Sequence, residues 1–316
     1  MLSLKKYIFI FILVFFRLAI QAQQEAMFTK YMFNSLSITP AYAGSHEALR
    51  MSGQIRRQWW NFKGAPLTGL VSIDGVSRDT RAGWGALIGY EKIGLYQTQE
   101  LHGNYAYRFE MGEGKMAIGI RAGGTLYQNS LTDADLADPG DVVYASNTSF
   151  FIPKMGVGAY YQDEQWYFGV SIPTAVSIKS GRQFSVSDDK SYLRRHYFAH
   201  TGFIFEVDKG LFLKPSLLLK YVKGAPAQAD LNIQAYFNNL LGLGVSYRTN
   251  DAVVFMAEVY PMPTLRIGYS YDFTTSRLRY YGGGAHEIIV SYELSNEKRS
   301  RSMRPGKSRM RDIKHF

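Results

Sequence analysis

The feature that most constrains this chain is an alternation of period two that recurs along most of its length. In residues 100–110, Leu101, Gly103, Tyr105, Tyr107 and Phe109 share one face, and Glu100, His102, Asn104, Ala106, Arg108 and Glu110 share the other. In residues 228–237, Ala229, Leu231, Ile233, Ala235 and Phe237 oppose Gln228, Asp230, Asn232, Gln234 and Tyr236. Residues 241–248 and 265–273 repeat the pattern, the latter with Leu265, Ile267, Tyr269, Tyr271 and Phe273 on its apolar side. Successive side chains of a strand point to opposite faces, so each segment has one greasy and one wet side. No sustained 3.6-residue period follows residue 22.

About fourteen such segments are predicted, starting near Leu49, Thr68, Arg81, Tyr96, Gly114, Phe151, Glu164, Arg195, Leu211, Ala227, Leu241, Ala252, Thr264 and Ala285. Most are longer than the usual ~5–6 residues of soluble strands and suit the ~9–11 residues of a membrane-spanning strand. No apolar run reaches the ~18 residues of a spanning helix, which excludes a helical polytopic membrane protein. An open sheet of this size leaves unpaired edges, and closure removes them.

The connections point the same way. Short ones follow even-numbered strands, at 76–80, 111–113, 162–163, 208–210, 238–240 and 261–263. Long ones, at 129–150, 173–194 and 274–284, follow odd-numbered strands. Tight turns at one end and longer loops at the other are the pattern of a bacterial outer-membrane barrel, with periplasmic turns and extracellular loops. An even strand count puts both termini in the periplasm. A soluble all-β sandwich or propeller also alternates, but it explains neither this asymmetry nor the many Tyr and Phe on the apolar face, which suit interfacial girdles.

Composition refines the class. The chain has 316 residues and no cysteine, which excludes a disulfide framework, a Cys-ligated metal and a thiol nucleophile. Of the formal charge of +10, three units lie before Gln23 and six after Ser295, which leaves one for the body. The basic balance is therefore no argument for nucleic-acid binding. Lys5 and Lys6, the apolar stretch 7–16 and Ala19-Ile20-Gln21-Ala22 have the layout of a cleaved secretory signal. The expected organisation is a signal peptide over 1–22, an N-terminal periplasmic or lumenal segment over 23–48, a barrel over 49–294 and a basic periplasmic tail over 295–316.

Four motifs give a resemblance. Residues 28–45 read FTKYMFNSLSITPAYAGS, 57–68 read RQWWNFKGAPLT, 267–276 read IGYSYDFTTS, and 286–292 read HEIIVSY. In this order they resemble the PorP/SprF family of Bacteroidetes outer-membrane proteins. Departures are Ser35, Thr39, Ala285 and the basic tail. The resemblance implies a non-enzymatic accessory component of the type IX secretion system, joined to other components on its periplasmic side or paired with a surface adhesin, as in gliding. Carried onto this sequence, the motifs nominate Tyr31, Asn34, Pro40, Ala41, Tyr42, Gly44, Gln58, Trp59, Gly64, Pro66, Tyr269, Tyr271, Asp272, His286 and Glu287 as structural or partner-docking residues.

Other candidates are weaker. Residues 23–48 hold Met27, Phe28, Tyr31, Met32, Phe33 and Tyr42, too many aromatics to leave in water, so a plug in the lumen or across the periplasmic mouth is expected. His196 and His200 share a strand face but lie ~13 Å apart at ~3.3 Å per residue, too far for one ion. His286 and Glu287 are adjacent and face opposite sides, which argues against an acid–base pair. Asp133, Asp135, Asp138 and Asp141 lack a regular calcium-loop spacing. Residues 112–115 (GEGK) form a tight turn without Walker spacing. No catalytic residue, metal or cofactor is nominated, and no nucleic acid is expected as partner. The expected partners are outer-membrane lipid, type IX components and an adhesin or secreted substrate. The runner-up reading is a porin-like diffusion channel.

Overall fold

The computed structural model describes residues 31–133, 146–178, 193–276 and 282–294. The signal peptide, Met27, Phe28, Asp135, Asp138, Asp141 and the basic tail lie outside the described residues.

Among the described residues, fifteen strands follow three short 3-10 turns (Tyr31–Phe33, Ser35–Ser37, Pro40–Tyr42). They are β1 (Leu49–Gln58), β2 (Leu67–Val76), β3 (Ala82–Ile93), β4 (Tyr96–Met111), β5 (Gly114–Asn129), β6 (Thr148–Gln162), β7 (Trp166–Ser177) and β8 (His196–Phe203). The remainder are β9 (Phe205–Asp208), β10 (Leu211–Val222), β11 (Gln228–Phe237), β12 (Leu241–Arg248), β13 (Ala252–Met262), β14 (Leu265–Thr274) and β15 (Ala285–Leu294). Sequence neighbours pair antiparallel around the sheet, and β1 pairs with β15 from Leu49–Leu294 to Gln58–Ala285, which closes the ring. β8 and β9 both pair with β10 and are two parts of one stave. The barrel therefore has fourteen staves, the number legible from the alternation.

Two local features depart from the expected pattern, and each involves a proline. The break between β8 and β9 at Ile204 lies between the pairs Gly202–Ser216 and Phe205–Leu213, a stretch that contains Pro215. Proline has no N–H to give to a ladder. Pro173 was expected to begin a loop, but β7 runs through it to Ser177. A register shift between Met155 and Val157 of β6 absorbs it. Past that shift the inward-facing set of β7 changes phase, with Pro173 and Thr174 both buried.

The alternation sorts the residues by environment. Outward positions are apolar and exposed: Val71, Ile88, Leu101, Ile118 and Ile120 each leave more than half of their surface uncovered. So continuous an apolar exterior is stable only when dissolved in lipid. Inward positions are polar or charged and buried, among them Arg50, Arg56, Arg121, Lys220, Glu258, Asp272 and Glu287. The core of the molecule thus lies in the lumen. No helix among the described residues is long and apolar enough to cross a membrane.

Candidate functional site

The lumen is occupied by the chain's own residues 31–46. Tyr31, Met32, Phe33, Leu36, Ala41, Tyr42 and Ala43 are all buried. Tyr31, Met32 and Phe33 pack with Phe198, Leu218, Val254, Met256 and Ile289 of the wall. Leu36, Ala41, Tyr42 and Ala43 pack with Ala106, Ala117, Tyr160 and Tyr167. These wall residues sit on the inward face beside lysines and arginines because the plug gives them an apolar partner there.

The plug is too short to satisfy its own backbone, so the wall supplies donors. Arg50 donates to the Phe33 carbonyl and to His46. Arg121 donates to the Leu36 carbonyl and, at 3.1 Å, to that of Ser37, while its Nε is held by Asn104 at 2.8 Å. Arg108 donates to the Gly44 carbonyl, Ser171 to that of Ile38 at 2.7 Å, and Gln162 to that of Ser45 at 3.0 Å. Buried carbonyls must be paired, and a guanidinium is the strongest donor a side chain offers. In return, the Gly44 N–H donates to Asp74 at 3.2 Å, and the Asn34 amide to the Ser72 hydroxyl at 3.0 Å. The Tyr31 hydroxyl accepts from Asn232 at 2.7 Å, and the Arg266 guanidinium lies 3.5 Å from the centre of the Phe33 ring.

Two glycines permit this fit. Gly44 has φ +70°, and a Cβ there would stand 2.7 Å from the Gly75 carbonyl oxygen. Gly119 of β5 faces Ala41, and a Cβ there would stand 2.3 Å from the Ala41 nitrogen. A wall of ordinary residues would hold Pro40–Tyr42 away.

A ladder of ion pairs crosses the lumen wall from β1 towards β11. Arg56 donates to Asp272 at 2.9 Å and to Glu287 at 3.2 Å, and Gln54 donates to Glu287 at 2.8 Å. Arg248 reaches Asp272 at 3.2 Å and Asp230 at 3.4 Å, and Lys220 bonds Asp230 at 2.6 Å. Arg266 pairs with Glu258. Each charge is buried but matched, which a wet, enclosed lumen requires. Above the plug, towards Tyr90, Thr98 and Tyr127, a vestibule of about 100 Å³ is lined by Glu91, Glu100, His102 and Lys154.

The nominated residues fall into four places. Tyr31, Asn34, Pro40, Ala41, Tyr42 and Gly44 form the plug, and Asp272 and Glu287 belong to the lumenal ladder. In the plug the six residues face the wall and present no surface to a partner, so the structure gives them packing contacts. Gln58, Trp59, Gly64 and Pro66 shape the β1–β2 connection. There the Gln58 N–H donates to the Pro66 carbonyl at 3.0 Å, and the Trp59 N–H to that of Gly284 at 2.7 Å. Tyr269, Tyr271 and His286 form an outer rim, where the Tyr269 hydroxyl and His286 Nδ1 are 2.7 Å apart. His286 and Glu287 thus sit on opposite faces. His196 and His200 are both buried in the lumen, His200 against the rings of Tyr160 and Tyr167 at 5.7 Å each. Arg50, Arg108 and Arg121, which anchor the plug, were legible only as polar-face residues: nothing in the sequence pairs them with particular carbonyls.

A closed antiparallel barrel with an apolar exterior and a charged, self-filled lumen defines an outer-membrane β-barrel protein. Solved structures with which it was compared include the Acinetobacter baumannii outer membrane protein Omp33, at 9% identity and TM-score 0.46, covering 78% of this chain and 98% of that one. They also include a KdgM porin, at 9% identity and TM-score 0.39, covering 78% and 99% of the two chains. A NanC porin has 11% identity and TM-score 0.39, covering 78% and 100%. No curated protein matches by sequence. The chain belongs to the PorP/SprF family of type IX secretion system membrane proteins, whose family model matches residues 20–292.

Proposed function

We propose that the protein is a non-catalytic scaffold of the type IX secretion machinery in the outer membrane, with both termini in the periplasm. Its long connections, at 130–147 and 178–195, would then face outwards and hold an exported protein or adhesin. Its short turns would face the periplasmic components. The barrel body is residues 49–294, and residues 31–46 of the segment before it serve as a lumenal plug.

The observation that carries this reading is the filled lumen. A diffusion channel needs an open water path, whereas this lumen is closed by residues 31–46 with wall donors at Phe33, Leu36, Ser37, Ile38, Gly44 and Ser45. A rigid, plugged barrel is suited to holding other proteins at its two mouths. Gentle detergent extraction from native membranes, affinity purification and mass spectrometry test it. The expected result is co-purification of a type IX component or a surface adhesin. Recovery of neither contradicts the scaffold.

A further inference from the structure

The outward face at the long-connection end carries a row that neither the plug nor the lumenal ladder uses. Register places Tyr271, His286, Arg57, Leu67 and Lys92 side by side across β14, β15, β1, β2 and β3. Tyr271, His286, Arg57 and Leu67 each adjoin a buried neighbour, and Lys92 follows Glu91, which lines the vestibule, so strand parity points all five away from the lumen. Below this row, towards mid-barrel, the same faces carry Ile55, Ile88 and Ile288, which belong to the lipid-facing band. The row therefore marks the level where hydrocarbon gives way to headgroups.

Its chemistry is specific. Arg57 and Lys92 flank Leu67, two strand spacings or about 10 Å apart, within reach of one another's ligand at the length of their side chains. Neither has a carboxylate partner among the described residues. Trp60 lies over Arg57, with 5.0 Å from the guanidinium carbon to the ring centre, and meets the His286 ring edge-on at 5.2 Å. Trp60 is 53% exposed. When the Tyr269 hydroxyl donates to His286 Nδ1, the imidazole keeps its proton on Nε2 as a further outward donor. Indole and phenol rings at headgroup depth anchor a barrel, but an arginine fork beside a lysine and an imidazole is an anion site.

We propose that Arg57, Lys92 and His286, framed by Trp60, bind the phosphate of an outer-leaflet glycolipid. The site continues the lipid-facing band, and its positive charge complements a phosphate at the headgroup level. The choice of leaflet rests on the orientation given under Proposed function.

Native mass spectrometry of the intact detergent-purified protein tests it, with lipid A, dephosphorylated lipid A and phosphatidylglycerol as probes. Lipid A is expected to bind, with dephosphorylated lipid A at least tenfold weaker. Arg57→Gln with Lys92→Gln is expected to lower lipid A binding at least tenfold, while Lys209→Gln at the opposite end leaves it unchanged. Heat-modifiable migration on gels checks that the double variant folds; should it not, Lys92→Glu alone reads the same charge dependence. Binding indifferent to the phosphate, indifferent to these substitutions or equal for phosphatidylglycerol overturns the proposal. So does retention of a polypeptide through these residues in place of lipid. Orientation is read separately by labelling Lys63→Cys in intact cells with an impermeant maleimide. Labelling only after permeabilisation overturns the orientation and the leaflet assignment with it. Loss of phosphate selectivity with external labelling intact overturns the proposal alone.

Discussion

Arg121→Met is the sharpest test of how the plug is held. In the wild type this guanidinium serves the Leu36 and Ser37 carbonyls and is itself positioned by Asn104. Methionine keeps much of the aliphatic stem but gives no donor. A buried carbonyl left unpaired costs roughly 1–3 kcal/mol. The Ser37 carbonyl borders the vestibule, where water can replace the lost partner, so the Leu36 carbonyl dominates and the total is about 2 kcal/mol. That should raise the population with the plug released by roughly thirtyfold. Leu36 is fully buried, so a Leu36→Cys background reports release as maleimide labelling, and its own cost cancels because both proteins carry it. When opening is fast relative to labelling, the rate tracks the open population. The expected result is a labelling rate raised by more than tenfold with the barrel still folded. A rate within twofold of the background protein would refute the reasoning that Arg121 ties down the plug.

Gly119→Leu should expel or misplace Pro40–Tyr42, because even a Cβ would stand 2.3 Å from the Ala41 nitrogen; faster protease cleavage within residues 31–46 of the folded barrel is the readout. Asp272→Ala removes the carboxylate shared by Arg56 and Arg248 and should lower barrel stability in urea by about 2–4 kcal/mol, since it leaves buried cations underpaired. Val71→Arg places a charge on the lipid face and should destabilise by roughly 2–4 kcal/mol at mid-bilayer; urea unfolding in lipid vesicles measures it, and the same substitution at the rim-facing Leu67 should cost much less.

Much of the fold was legible because burial on a strand repeats every second residue. The starts read at Leu49, Tyr96, Gly114, Leu211, Leu241, Ala252 and Ala285 coincide with those in the structure, since each follows a turn that punctuates the alternation. Pro173 and Pro215 were harder. A proline reads locally as a breaker, yet a register shift or a short gap lets a long, well-paired strand continue past it. The candidate site was only half legible. The aromatic density of residues 31–42 indicated burial, and strand parity separated His286 from Glu287. The partners of Arg50, Arg108 and Arg121 depend on how far a turn-rich segment reaches across a lumen, which no local period encodes. Tyr160, Tyr167 and Phe198 lie on the wet face for the same reason, as their apolar partner comes from a distant part of the chain.

The central claim is that residues 31–46 seal the barrel. Single-channel recording in planar bilayers tests it most directly, comparing the intact protein with a variant lacking residues 31–44. Between backbones a fourteen-stranded ring is about 28 Å across for strands ~4.8 Å apart tilted by ~40°, wide enough to conduct once emptied. The account predicts no stepwise conductance from the intact protein and large, stable steps from the folded deletion variant. Equal conductance from the two would contradict it.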